Sequence, residues 1–182
     1  MCIRDRAACE EWIDVRAFGQ VFGFNDQKGM SEGIRGPVSI QSAFSVCPVV
    51  IDSMQITKSV NGAGKGKASD TMGMKHKVTS AMYVAKGSIN HQLAQKTGFT
   101  DEDAEKIKEA LRTLFVNDAS AARPDGSMEV CKVYWWRHNC PMGQYSSAKV
   151  HRSLKISANT ELPKCFEDYS ITVSYTHLTL PT

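Results

Sequence analysis

The stretch that decides the fold is VVIDSMQITKSVNGAGKGKASDTMGMKHKVTSAMYVAKG, residues 49–87. Its opening, VVIDSMQITKSV, places Val50, Met54 and Ile56 on alternate positions, with Asp52 as the polar interruption, and reads as a strand. Its close, KVTSAMYVAKG, does the same with Val78, Met82 and Val84. The segment between them, NGAGKGKASDTMGMKH, is too long for a tight hairpin turn and too rich in Gly and Lys to bury a core. Residues 58–77 hold five lysines and one aspartate, a net of +4, whereas the whole chain carries +3. Basic character gathered in one arm rising from a sheet points to a polyanionic partner. The alternative is an ordinary solvated loop.

A chain of 182 residues with 42% hydrophobic and 23% charged residues has the composition of a single globular domain with a core. No apolar run is long enough to span a membrane and none resembles a signal-peptide core, so the expected location is cytoplasmic. The six cysteines are scattered, with no C-x-x-C pair, and read as free thiols. His138 and Cys140 are near neighbours, but no second pair stands at zinc-ligand spacing, so neither a metal nor another cofactor is expected.

The ends, MCIRDR (residues 1–6) and VSYTHLTLPT (residues 173–182), share no pattern with the interior and read as non-native, adapter-like sequence. The domain is therefore expected over residues 7–172, with the arm inserted at about residues 58–78, and the chain is expected to be a fragment.

Residues 7–11 read as the last turn of a helix. WIDVRAFGQVF (12–22) alternates Ile13, Val15 and Ala17 against Asp14, Arg16 and Phe18 and reads as a strand. Residues 23–33 read as a loop. Val38, Ile40, Ser42 and Phe44 mark a second strand, started by Pro37 and broken by Pro48, able to pair antiparallel with the first. SINHQLAQKTG reads as a short helix ending at Gly98. Thr100 is an N-cap for TDEDAEKIKEALRTLFVND, with Asp103 completing a capping box. Ile107, Leu111, Leu114 and Phe115 repeat at helical spacing on one face. After the Pro-Asp-Gly turn near residue 125, MEVCKVYWWRHN (128–139) reads as a central strand with one of its adjacent tryptophans in the core. KVHRSLKIS (149–157) reads as a last strand. This order predicts an α+β fold of the ferredoxin or RNA-recognition-motif kind.

Four stretches carry a family likeness: DVRAFGQVF (14–22), GIRGPVSIQSAFSVCPV (33–49), DTMGMKH (70–76) and KTGFTDEDAEKIKEAL (96–111). They resemble the CRISPR-associated backbone subunit of type I effector complexes, most closely its type I-C branch, the repeated subunit of Cascade. The likeness spans residues 7–157 and preserves the order and spacing of the motifs. It implies a modified RNA-recognition-motif (ferredoxin-like) palm with an inserted basic thumb arm, the family's usual first strand and helix being absent here. It also implies copies stacked head to tail along one guide crRNA, each thumb kinking the RNA and displacing one nucleotide. The target DNA strand and other Cascade subunits are the further partners it implies.

On that likeness residues 58–77 correspond to the thumb, and Lys58, Lys65, Lys67, Lys75, His76 and Lys77 are its RNA-binding candidates. Arg16 and Arg35 are the palm candidates, Arg35 being favoured because Gly33 and Gly36 leave the backbone open beside it; either arginine could instead form a surface ion pair. Met72 and Met74, flanking Gly73 at the end of the arm, are candidates for an apolar wedge that displaces a base.

Enzymatic readings find less support in the residues. NGAGKGKAS has a Gly66-Lys67 pair, but Ala68 stands where a phosphate-binding loop needs Ser or Thr, and Asn61 where it needs glycine. His76, His91, His138 and His151 form no local site with a nucleophile, and no catalytic residue is expected. The favoured function is a non-enzymatic guide-RNA-binding structural subunit. A stand-alone single-stranded RNA-binding domain is the alternative, and an RNA-cleaving relative of the type III kind comes third.

Overall fold

A computed structural model describes residues 3–23, 31–57 and 72–174, the side chains at 3–5, 23, 31 and 32 excepted. In chain order its elements are α1 (Ile3–Glu11), α2 (Ile13–Phe18), β1 (Gly19–Gly23), β2 (Ser31–Arg35), β3 (Val38–Ile40), β4 (Phe44–Ser45) and β5 (Ile51–Thr57). They continue as β6 (Met72–Val78), β7 (Tyr83–Val84), β8 (Gly87–Ile89), α3 (His91–Thr97) and α4 (Asp101–Arg112). Last come α5 (Ser147–Ser153), β9 (Leu154–Ala158), a 3₁₀ turn (Phe166–Asp168) and β10 (Tyr169–Val173). The fold is α+β, its described strands joined as five two-stranded sheets: β1-β2, β3-β8, β4-β7, β5-β6 and β9-β10. The chain divides into two compact units, one formed by Met1–Ser42, Ala85–Lys155 and Val173–Thr182, the other by Ala43–Val84 and Ile156–Thr172.

The first unit holds the buried side chains. Ala17, Val38, Ala94 and Phe99 form one cluster, with Ile89, Ala104 and Ile107 against it; Ala8, Cys9 and Val15 form another beside Phe22 and Ile34. Small residues dominate both, so helices and strands approach closely. Residues 13–18, expected as a strand, are helical. Val15 and Ala17 are buried and the Arg16 side chain is tied to α4, and these tertiary contacts outweigh the modest β-preference of one Ile and one Val. The strand begins only at Gly19, whose φ of +85° suits the sharp exit from α2.

An antiparallel hairpin does cross the segment after Gly23, but its return strand is β2, from Gly19↔Arg35 to Gly23↔Ser31. The expected second strand splits instead. β3 pairs with β8 and β4 with β7. Gly36, expected to leave the backbone open beside Arg35, is instead closely packed. A Cβ there would lie 2.3 Å from the Ala17 carbonyl oxygen, so glycine is what lets the chain pass against the end of α2.

The two expected helices form as read. Asn90 Oδ1 accepts from Leu93 N (3.0 Å) to start α3, and Gly98 (φ +77°) ends it in the left-handed conformation. Thr100 Oγ1 accepts from Asp103 N (3.2 Å) while Asp103 Oδ2 accepts from Thr100 N (3.0 Å), the reciprocal capping box. The apolar face of α4 is shorter than its periodicity implied, because the helix ends at Arg112 and Leu114 is 53% exposed.

Residues 128–139 form no strand. No described strand ladders with them, and their large side chains pack along the segment instead: Tyr134 and Trp136 stack at 5.9 Å, and Lys108 lies over Trp135 at 6.0 Å. Both tryptophans are half-buried. Residues 149–153 are helical rather than extended, since Ser146 caps α5 by accepting from Lys149 N and Val150 is buried; the strand starts at Leu154.

The second unit has no buried hydrophobic side chain among the described residues. Its largest feature is the seven-rung antiparallel ladder of β5 and β6, from Ile51↔Val78 to Thr57↔Met72. β5 falls inside the expected strand. The returning strand, β6, overlaps the expected residues 77–87 only at Lys77 and Val78, and the rest of that span supplies β7 and the start of β8 instead, each paired with a different partner. Asp168 organises the turn before β10, its Oδ2 accepting from the backbone N–H groups of Lys164 (2.7 Å) and Cys165 (3.1 Å). These bonds hold its carboxyl below the usual range.

Candidate nucleic-acid interface

In a two-stranded ribbon, residues directly opposite each other share a face and the faces alternate along each strand. The β5–β6 register therefore sorts the arm's side chains. Met72, Met74, His76 and Val78 lie on one face with Thr57, Gln55, Ser53 and Ile51. Lys75 and Lys77 lie on the other with Met54, Ile56 and Asp52. All fourteen strand residues, Ile51–Thr57 and Met72–Val78, are exposed. The wedge candidates thus stand on the opposite face from the lysines, a distinction the linear charge count does not reveal. Met72 is at the outermost described rung and 63% exposed; Met74, two residues in, is 56% exposed.

Several of these side chains have partners within the ribbon. Lys77 Nζ lies 3.2 Å from Asp52 Oδ2, and His76 Nδ1 lies 2.8 Å from Ser53 Oγ. Gln55 Nε2 approaches Met72 Sδ at 2.7 Å. The exposed Asp52–Lys77 pair is weak in water, so it leaves the lysine free to exchange a carboxylate for a phosphate. Lys58, Lys65 and Lys67 lie outside the described residues, as does Asp70.

The palm candidates Arg16 and Arg35 belong to the first unit and differ from each other. Arg16 donates from Nε to Asp103 Oδ2 and from Nη2 to Asp103 Oδ1, both at 2.8 Å, and from Nη1 to the Cys9 carbonyl at 2.9 Å. The Asp103 side chain is only 3% exposed. This is a bidentate, largely desolvated ion pair joining α2 to α4, not a surface cation awaiting a phosphate. The Arg16 hydrogen bond, opposed by burial and aided by Thr100, lowers the Asp103 carboxyl to about 2. The same bond raises the Arg16 guanidinium above its ordinary value.

Arg35, in contrast, is exposed at the end of β2 and its side chain bonds no described residue. It lines an open groove of about 520 Å³ with Asn90, Gln92, Leu93, Gln95 and Lys96. The last five sit on or just before α3, which buries Ala94 and Thr97 and turns its polar side outward. Sequence reasoning reached Arg35 but missed its neighbours. The signal was there in the spacing of Gln92, Gln95 and Lys96, three and four apart and so on one side of a helix.

Two of the other singled-out histidines serve locally. His138 Nδ1 accepts from Gln144 N (3.1 Å), and His151 Nε2 lies 3.0 Å from the Gly87 carbonyl oxygen. Among the described residues no three His, Cys, Asp or Glu side chains are grouped to hold a metal ion. Among the described residues Cys9 is buried, Cys47 half-buried, and Cys131, Cys140 and Cys165 exposed, none of them in a disulfide. Among the described residues no helix is long and apolar enough to cross a membrane.

Residues 4–174 match the sequence model of a family described as "CRISPR-associated protein Cas7". A solved structure described as "CRISPR RNA-guided surveillance complex, pre-nicking" is similar at 18% identity with a TM-score of 0.39, over 62% of this chain and 31% of that one. The chain therefore spans 31% of the solved relative it matches. No curated protein matches it.

Proposed function

The chain belongs to the family of CRISPR-associated protein Cas7, and from that premise we propose that it is a non-enzymatic, guide-RNA-binding subunit of a type I CRISPR surveillance complex, of the I-C branch. Copies polymerise head to tail along one crRNA, which the assembly offers to a target DNA strand beside other Cascade subunits. Such stacking uses a heterologous contact that does not close on itself. In this reading the first unit is an RNA-recognition-motif-like palm, with Arg35 facing the RNA and Arg16 supporting the palm from within. The arm inserted at about residues 58–78, of which β6 is the described part, is the thumb.

The observation that carries the reading is the ribbon itself. A long two-stranded ladder with both faces in water is marginal alone. This one bears Lys75 and Lys77 beside Met54 and Ile56 on one face and the lysine-free pair Met72 and Met74 on the other, all exposed, a surface suited to a ligand with charged and aromatic parts. Native mass spectrometry of the chain with single-stranded RNAs of increasing length tests it. Bound copies are expected to rise by one at a fixed length increment. One copy at every length would return the chain to a stand-alone RNA-binding domain. Labelled RNA incubated with the chain and magnesium or manganese is expected to stay intact. Cleavage abolished by Asp14→Ala or Asp70→Ala would place it with the RNA-cleaving relatives.

A further inference from the structure

We propose that the groove beside α3 distinguishes ribose from deoxyribose, with Gln92 and Gln95 reading the 2′-hydroxyl and Arg35 and Lys96 holding the adjoining phosphates. The inference rests on the RNA-binding reading above and assigns it a chemical basis of selectivity.

The composition of the groove carries the argument. Among the described residues its lining contains two cations and three amides, with Leu93 the one apolar member and neither a carboxylate nor an aromatic ring. The two positive charges thus stand in a lining without a described carboxylate, which favours a phosphodiester. Absence of an aromatic ring removes the usual platform for a stacked base, so the base is not what this groove holds. What remains is the sugar–phosphate chain. An amide carries both a donor and an acceptor, and so does a 2′-hydroxyl, the group by which a protein tells RNA from DNA.

The side chains are also available. Arg35, Gln95 and Lys96 bond no other described residue, and Gln92 reaches only the Met142 sulfur, at 3.7 Å. Asn90 uses Oδ1 to cap α3 and retains its amide N–H groups. Their backbone is anchored, because Ala94 and Thr97 on the inner side of α3 are buried and Asn90 N donates to the Pro37 carbonyl at 3.0 Å. A fixed backbone with unengaged polar tips is the preorganisation that makes a small chemical difference readable. A groove of about 520 Å³ is within the range that holds one small ligand, here a nucleotide's sugar and its phosphates.

The test compares, by fluorescence anisotropy, RNA, DNA of the same sequence, and 2′-O-methyl RNA, each with the full chain. Wild type is expected to prefer RNA over DNA by about tenfold, the size of one or two net hydrogen bonds. Gln92→Ala with Gln95→Ala is expected to bring that ratio within about twofold of unity by weakening RNA alone. Arg35→Ala with Lys96→Ala is expected to weaken RNA and DNA by the same factor and to reduce the log-affinity against log-salt slope by about 1.4. All four side chains are exposed, so circular dichroism melts of the variants are expected to match wild type. Binding of wild type to RNA with a ratio that the glutamine variant leaves unchanged overturns this inference and spares the RNA-binding reading. Failure of wild type to bind RNA at all overturns both. The 2′-O-methyl RNA asks the same question without mutation: affinity equal to that of RNA overturns the hydroxyl readout.

Discussion

Arg16 and Asp103, 87 residues apart in sequence, meet in a two-point hydrogen-bonded ion pair with both contacts at 2.8 Å. The same carboxylate closes the capping box with Thr100, so one buried side chain both starts α4 and fastens it to α2. Removing one partner of a desolvated pair leaves the other charge uncompensated. Asp103→Asn is therefore expected to cost about 3 kcal/mol in denaturant unfolding. Asp101→Asn removes an exposed ion pair with Arg137 and is expected to cost under about 1 kcal/mol. Equal losses in the two variants would show that the buried pair is not special.

The pair also fixes a sign for acid sensitivity. Asp103 titrates at about 2 in the folded protein, below its ordinary 3.8, chiefly through the Arg16 bond. A depressed carboxylate stabilises the fold above its unfolded value, and that stabilisation disappears as pH falls from about 4 to about 2. The shift corresponds to about 2 kcal/mol. The stability gap between wild type and Asp103→Asn should accordingly narrow by that amount between pH 5 and pH 2, and a gap independent of pH would contradict it.

Gly36→Ala is expected to destabilise the protein by about 1–3 kcal/mol, the usual range for forced overpacking. The new Cβ would meet backbone at Ala17 and Phe18, which no side-chain rotation can relieve. Gly33→Ala is the control, since its Cβ would approach only Val21 Cγ2 at 3.9 Å. Thermal melts of both variants distinguish close approach at Gly36 from a general cost of losing glycine.

Replacing Lys65, Lys67, Lys75 and Lys77 together by Ala is expected to lower the log-affinity against log-salt slope for single-stranded RNA by about 2.8, each contacted phosphate releasing counterions. An unchanged slope would remove the arm from the RNA site.

Met72→Ala with Met74→Ala is expected to reduce 2-aminopurine fluorescence at regularly spaced positions of a bound guide, where wild type unstacks a base, while affinity changes little. The two methionines share a face without lysines, so the wedge and the phosphate contacts are separable by mutation. Bright positions that persist in the double variant would assign the wedge to another residue.

The parts legible in the sequence are those fixed by local chemistry. Thr100 and Asp103 announced a capping box, Gly98 a left-handed helix end, and Ile51–Thr57 a strand, each through residues within a few positions of one another. Where distant contacts decide, local pattern misled. Ile13–Phe18 alternates like a strand but is helical, with Arg16 held by α4; residues 128–139 have strand-like composition without a partner to ladder with. Of the groove residues, Arg35 stands out in the sequence between Gly33 and Gly36, although Gly36 is closed against Ala17 rather than open. The spacing of Gln92, Gln95 and Lys96 puts them on one helix side, but only the fold brings that side of α3 beside the end of β2.

With every residue of β5 and β6 exposed, no buried face holds these two strands in register. The polar rungs that accompany this register are Asp52 against Lys77 and Ser53 against His76. A slip of one residue would exchange the two faces, carrying Met72 and Met74 to the side now occupied by Lys75 and Lys77. The small polar residues of β5 are thus a phasing code. They mark which face of β5 the lysines of β6 share, Lys75 and Lys77 with Met54 and Ile56, and which face Met72 and Met74 share with Thr57 and Gln55. A sequence change at Asp52 or Ser53 would bear on that assignment without touching a lysine or a methionine.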